Sequence, residues 1–319
     1  MASFLIRKLL MFIPMLLILT LLVYGGLELM PGDVVSFLVG PEGMAGLDPE
    51  QLEAVRESLG LNQPFLMRYF SWLGGVLTGN FGYSMTSGVP ISTILANRLP
   101  ATIELSIVAL LISTLVGVVL GVVSALRRGT TVDNTLTVFG MVGLSVPDFF
   151  FALVLIAIFA LHLAWLPAGG RVTSGEMSIG AHIQHLILPA SALGIAMTAG
   201  VMRYARSSML DVANKAFVTT ARSKGMPEWR VNLVHGFRVA LTPVFVLVGF
   251  RLPMLIGGSV VIEQIFQWPG VGSAFITAVR AQDYPLIMMI TLLSVGAVLV
   301  ASLVVDLFTA WVDPRVRLS

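Results

Sequence analysis

The sequence predicts an all-α integral membrane protein of six transmembrane helices, and three observations carry that prediction. Of 319 residues, 56% are hydrophobic and 11% charged, against roughly one quarter charged in a soluble domain. Six apolar stretches are each long enough to cross about 30 Å of hydrocarbon at about 1.5 Å per residue. Basic residues collect in a few polar loops, above all between Arg203 and Arg238, which holds seven Lys and Arg against two acids, Asp211 and Glu228.

The predicted spans run from Leu9 to Met30, Thr102 to Ala125, Leu136 to Leu161, Leu186 to Met202, Leu241 to Ile262 and Leu286 to Ala310. The fourth is the shortest. Arg7 and Lys8 precede the first, but its apolar run exceeds that of a secretory signal and no small-x-small cleavage site follows, so it reads as a retained anchor. Pro147 should kink the third span, and Pro243 and Pro253 the fifth. Gly117 and Gly121, four apart, offer a close helix contact.

With the N-terminus inside, Arg7, Lys8, Arg127, Arg128, the seven of the long loop, Arg315 and Arg317 are cytoplasmic, while Arg56, Arg68, Arg98, Arg171 and Arg280 are external. The excess of Lys and Arg on one side predicts both termini in the cytoplasm. The chain then divides into a tail and first span (1–30), an external region (31–100), a core (101–310) containing the cytosolic loop 203–238, and a cytosolic tail (311–319). Within the external region, Asp48, Pro49 and Glu50 open a helix that closes at Gly60, and Phe65 to Leu77 is apolar and aromatic enough to lie along the membrane surface.

The loop from Arg203 to Arg238 reads as helix, Gly-x-Pro, helix. Gly225 stands where one helix ends, Pro227 where the next begins, and Glu228 suits the first turn of the second. Phe217 and Ala221 share a face of the first helix, with Arg222 and Lys224 pointing elsewhere. Trp229, Leu233 and Phe237 recur every four residues on the second. A loop that only sets topology needs no such capping, so a docking surface for a cytosolic protein is the sharper reading.

Several stretches carry a resemblance: Pro31-Gly32-Asp33, Phe81-Gly82-Tyr83-Ser84, Leu99-Pro100-Ala101-Thr102-Ile103-Glu104-Leu105 and Leu188-Pro189-Ala190. Further along come Arg206-Ser207-Ser208-Met209-Leu210-Asp211-Val212, Thr220-Ala221-Arg222-Ser223-Lys224-Gly225, the run from Ile262-Glu263 to Trp268-Pro269-Gly270-Val271-Gly272, Asp283-Tyr284-Pro285 and Asp313-Pro314-Arg315-Val316-Arg317. In this order, over nearly the whole chain, they resemble a permease subunit of the ATP-binding-cassette importers of the dipeptide, oligopeptide and nickel family, in its first, B-type membrane subunit. The resemblance implies a type I importer fold, with the region Phe217, Thr220, Ala221, Arg222, Lys224 and Gly225 as the coupling helix that enters a groove on an ATPase subunit. It also implies a second homologous permease, two cytosolic ATPases that bind the ATP and magnesium, and an extracytoplasmic binding protein that meets the 31–100 region. Related permeases carry peptides, nickel chelates, glutathione or short oligosaccharides, so the resemblance leaves the solute open.

The chain lacks a G-x-x-x-x-G-K-[ST] phosphate loop and therefore cannot be the ATPase. It has no cysteine, which removes disulfides, thiolate metal sites and Cys nucleophiles. No nucleophile, base and orienter stand together in a pattern for catalysis, and no cofactor is expected on this chain. The small net charge of +2 implies no nucleic-acid partner; lipid is the expected surroundings. A self-contained secondary transporter or channel is the alternative, and it should carry an inverted repeat that the sequence does not display.

Charges inside spans are costly and default to function. Glu28, Glu104 and Glu263 fall near outer ends and Asp306 near an inner end, where snorkelling or capping accounts for them; Glu263 is kept as a translocation-path residue alongside two deeper ones. Asp148 and Arg251 lie about twelve and nine residues into their spans, near mid-membrane at about 1.5 Å per residue, and either pair with each other or line a wet path. They also depart from the family pattern, which has no acid at the first position and a neutral polar residue at the second, with glycine at that of Pro253. His162, His182 and His185 fall on the outer side, and loop histidines there are more often solvated than metal-bound.

Overall fold

The computed structural model describes residues 2–28, 48–58, 62–172 and 178–312. Pro31-Gly32-Asp33, Gly60 and the tail from Asp313 lie outside the described residues. In chain order the helices are α1 (Ala2–Glu28), α2 (Pro49–Ser58), α3 (Phe65–Leu77), α4 (Ile91–Leu126), α5 (Thr131–Ser145), α6 (Asp148–Leu155) running into a π-helical turn Ile156–His162, and α7 (Ile179–Ala213). Then follow α8 (Ala216–Ser223), α9 (Glu228–Arg230) running through a second π-helical turn Val231–Gly236 into α10 (Phe237–Gly258), α11 (Val260–Ile265), α12 (Val271–Arg280) and α13 (Tyr284–Val312). Among the described residues one isolated bridge, Tyr83 to Pro90, interrupts the helical pattern.

Ile91–Leu126, Ile179–Ala213, Glu228–Arg251 and Tyr284–Leu307 are each long and apolar enough to cross a membrane, and α1 contains the shorter apolar stretch Leu10–Gly26. Two expectations are corrected. The fourth predicted span is not short: it lies in a 35-residue helix with the largest buried share of the four, 61% of its most apolar window. The third is not one kinked helix. Its two halves, Thr131–Ser145 and Asp148–His162, meet at 104°, because Pro147 has no N–H to continue the ladder and forces Val146 into extended backbone, φ −88° and ψ 129°.

The chain forms two compact units. The first comprises Met1–Asn97 and Ala274–Gly296. In it α3 has the predicted bounds, but one face is packed rather than free. Tyr69 is buried, its hydroxyl 2.8 Å from Thr20 Oγ1 and donating to the Leu17 carbonyl at 3.1 Å. The Tyr24 ring meets Phe65 and Tyr69 edge-on at 5.6 and 5.7 Å. The opposite face presents Leu66, Met67, Phe70 and Leu77, the amphipathic arrangement of an interfacial helix. A tight turn follows, and the wholly buried Asp283 accepts from Ser84 Oγ, from Met85 N at 3.1 Å and from Thr86 Oγ1 at 3.0 Å. Asp283 stands immediately before α13 and also accepts from Leu286 N, an N-cap interaction. The Phe81-Gly82-Tyr83-Ser84 and Asp283-Tyr284-Pro285 motifs are thus one structural element.

The second unit comprises Arg98–Ser273 and Ala297–Ser319. Its core gathers Ala101, Leu105 and Ala109 of α4, Ala152 of α6, Leu186, Leu188, Ala190, Ala192 and Leu193 of α7, and Ile262, Phe266 and Trp268. The predicted glycine contact is present. A Cβ on Gly117 would stand 2.7 Å from Val201 Cβ, and one on Gly121 2.5 Å from the Met202 carbonyl, so α4 and α7 touch backbone to backbone.

Candidate functional site

The coupling helix of the sequence reading is α8. Lys215 enters it from extended backbone, φ −77° and ψ 146°. It ends at Gly225, whose φ of +72° is costly for a residue with a Cβ, and whose N–H bonds to the Arg222 carbonyl at 2.9 Å. Pro227, at φ −65°, then starts α9. Arg222 reaches across this turn and pairs with Glu228 at 2.8 Å. Both partners are well exposed, so the pair sets the loop's shape more than its stability.

Val218 and Ala221 are the buried face of α8. They pack on Val122 and Ala125 of α4, Met209 and Val212 of α7, and Val231 and Ala240. Fully burying a Val side chain contributes about 1.5–3 kcal/mol, enough to seat two turns of helix. The expected pairing of Phe217 with Ala221 is corrected here: Val218 and Ala221, at i and i+3, take the inner side, and Phe217 is 40% exposed. Thr220, Arg222, Ser223, Lys224 and Gly225 are exposed with it. The expected second helix is likewise no separate piece, since α9 continues through the π-helical turn into α10. It exposes Trp229 and Leu233, with the Arg230 guanidinium 5.5 Å from the Trp229 ring centroid.

The seat beneath α8 is tied by polar bonds that the sequence did not disclose. Asp133 is buried and takes both Arg206 Nε at 2.8 Å and Nη2 at 2.9 Å, with Ser124 Oγ and Gly129 N on the same carboxylate. Ser208 Oγ donates to the Ala240 carbonyl at 2.7 Å. The Arg206-Ser207-Ser208 motif therefore fastens α7 to the α4–α5 connection and to α10. The available signal was an acid three residues after Thr130, the spacing of a helix N-terminus. A push on α8 would reach three long helices at once.

The polar residues proposed for a path fare differently. Glu263 is wholly buried, and its carboxylate accepts from Thr102 Oγ1 at 2.8 Å, Ser259 Oγ at 2.9 Å and Ser273 N at 2.9 Å. Thr102 Oγ1 in turn accepts from Val271 N at 2.8 Å, and the Trp268 indole donates to the Ala101 carbonyl at 2.8 Å. A Cβ on Gly270 would stand 2.3 Å from the carboxyl carbon, so that glycine admits the acid. This geometry corrects the path reading: Glu263 ties the Leu-Pro-Ala-Thr stretch to the Trp-Pro-Gly-Val stretch and has no free surface to offer a solute.

Glu104 neither snorkels nor caps; it bonds Arg171 Nη2 at 2.8 Å and His182 Nε2. His185 Nδ1 lies 2.9 Å from the Gly169 carbonyl. Asp148 is exposed in the first turn of α6, a helix start rather than a span centre. Arg251 does not pair with it: the half-buried guanidinium donates through Nη1 to the Met197 carbonyl of α7.

Two family models together cover nearly the whole chain. Residues 117–318 match the binding-protein-dependent transport system inner membrane component, and residues 1–106 match the N-terminal region of such membrane components. The chain belongs to this family. Its relatives agree along their full lengths. The oligopeptide transport system permease protein AppB of Bacillus subtilis is 42% identical over 99% of this chain and 100% of its own. A putative peptide permease of Brucella suis is 37% identical over 100% of both. The glutathione transport system permease protein GsiC of Salmonella choleraesuis is 36% identical over 99% of both. Among solved structures, an amino acid ABC transporter crystallised with histidines is similar with a TM-score of 0.54 over 68% of this chain and 94% of its own, at 16% identity; that likeness concerns the fold. This permease is a multi-pass membrane subunit of a binding-protein-dependent importer, and not the ATPase of that system.

Proposed function

We propose that this permease lines half of the translocation path of an ATP-driven peptide importer, completed by a second homologous permease. The reading gives it two cytosolic ATPases, which bind the ATP and magnesium, and an extracytoplasmic binding protein that meets the 31–100 region. Both termini and the 203–238 loop face the cytoplasm of a bacterial or archaeal cell, and the chain carries no cofactor or catalysis of its own.

The observation that carries the reading is α8, fastened to the bundle through Val218 and Ala221 while Phe217, Thr220 and Lys224 stay exposed. Arg222 and Gly225 then act mainly by shaping the turn. ATPase closure would act on α8 and, through the Arg206–Asp133 and Ser208–Ala240 ties, shift α4, α7 and α10 between two arrangements. Such coupling requires differential contacts in the two states, not mere proximity. Peptides as the solute are supported by the relatives, an oligopeptide permease, a putative peptide permease and a glutathione permease. The reading keeps Asp148, exposed where α5 and α6 meet, as an acid bordering the path.

The test is purification in mild detergent after expression with genomic neighbours. The expected result is a complex with a second permease and two ATPases, whose peptide-stimulated ATP hydrolysis is lost when residues 217–225 are scrambled. Recovery of this chain alone, moving solute down an ion gradient, would overturn the proposal.

A further inference from the structure

Arg251 is a cation for which the described residues supply no carboxylate partner. It lies on α10, seven residues before the helix ends at Gly258, about 10 Å along the axis at about 1.5 Å per residue. Its side chain crosses to α7, where Nη1 donates to the Met197 carbonyl. Gly200, one turn further along α7, makes the room: a Cβ there would stand 2.1 Å from Nη2 and 3.3 Å from Cζ. A guanidinium carries five N–H donors, and this contact uses one nitrogen. Among the described residues no carboxylate lies within salt-bridge distance of it.

A charge held within a membrane helix, half-buried, with most of its donors unanswered is expensive to keep, and a planar guanidinium fork matches the paired oxygens of a carboxylate or a phosphate; of these two, a peptide carries the carboxylate. We propose that Arg251 binds the carboxylate of the transported solute, positioned for it by the Met197 carbonyl and the Gly200 gap. Resting on the peptide-import reading, this makes the solute class peptides with a free C-terminal carboxylate.

The experiment uses the full complex in lipid nanodiscs without its binding protein and compares calorimetric binding of alanyl-phenylalanine with that of its C-terminal amide. The wild type should bind the free acid about tenfold or more tighter, the size of one charge-assisted pair, and Arg251→Gln should bind both alike. Gly200→Ala, which keeps the cation but closes its gap, should reduce the preference too. Equal binding of acid and amide by the wild type, no binding of either, or an undiminished preference in Arg251→Gln would overturn the assignment. ATP-driven uptake of alanyl-phenylalanine with the binding protein present separates the two readings. Uptake without an acid preference sinks the Arg251 assignment alone, whereas a wild type that imports no peptide sinks the peptide reading itself.

Discussion

Glu263 and the α8 surface are both polar motif stretches, and they spend their chemistry in opposite ways. The Glu263 carboxylate is enclosed and answered by two hydroxyls and a backbone N–H. At α8 the buried contacts are aliphatic, and the polar groups bond within the loop or face outward. A buried, fully answered polar group holds helices in register, whereas an exposed face on a fastened helix can meet another protein. Membership in a family motif does not distinguish the two; burial does.

The comparison predicts a graded series of effects. Glu263→Ala should be the most damaging, because it strands Thr102, Ser259 and the Ser273 N–H without their acceptor. Unanswered buried donors cost about 1–3 kcal/mol each, so the melting temperature in detergent should fall sharply along with the yield of inserted protein. A variant as stable as the wild type would remove the structural role given to Glu263.

Val218→Asp should come next. A charge forced under α8 would unseat the helix and lower both melting temperature and ATPase coupling. Phe217→Asp, one residue away on the exposed side, should leave stability unchanged and lower only substrate-stimulated hydrolysis in the assembled complex. Equal loss of stability in both would erase the distinction between inner and outer face.

Gly225→Val should act more narrowly. A left-handed backbone costs a branched residue about 1–3 kcal/mol, which a turn outside the core can absorb by refolding locally. The bundle should melt near the wild-type temperature, while transport per ATP hydrolysed drops; normal coupling would show that the turn's shape is dispensable. Glu228→Gln should be the mildest, with no measurable change in melting temperature, since its partner Arg222 is exposed. A clear thermal loss would mean that the pair is more than a shaping contact.

Much of this was legible residue by residue. The bounds of α3, the glycines of the α4–α7 contact, and the Gly225 and Pro227 punctuation follow from local rules about side-chain periodicity, close approach and permitted backbone angles. The inner face of α8 was misread because a helix of eight residues offers too few turns to say which of Phe217 and Val218 faces inward; that depended on Val122 and Met209 standing beneath it. The 104° break exceeded the expected kink because the sequence announces that a proline interrupts a ladder, not how far the two halves then diverge.

What the sequence alone determined is the class of molecule: composition, span lengths and the ordered motifs point to a membrane permease, because hydrophobic length and backbone preference are local properties. What only the tertiary structure decided is the work of each polar residue. Thr102 and Glu263 are 161 positions apart and Asp133 and Arg206 73 apart, and no local rule announces those meetings. Arg251 shows the reverse case: its cost was readable from its position in a span, but that Met197 and Gly200 hold it, with Asp148 elsewhere, depended on how α10 packs against α7.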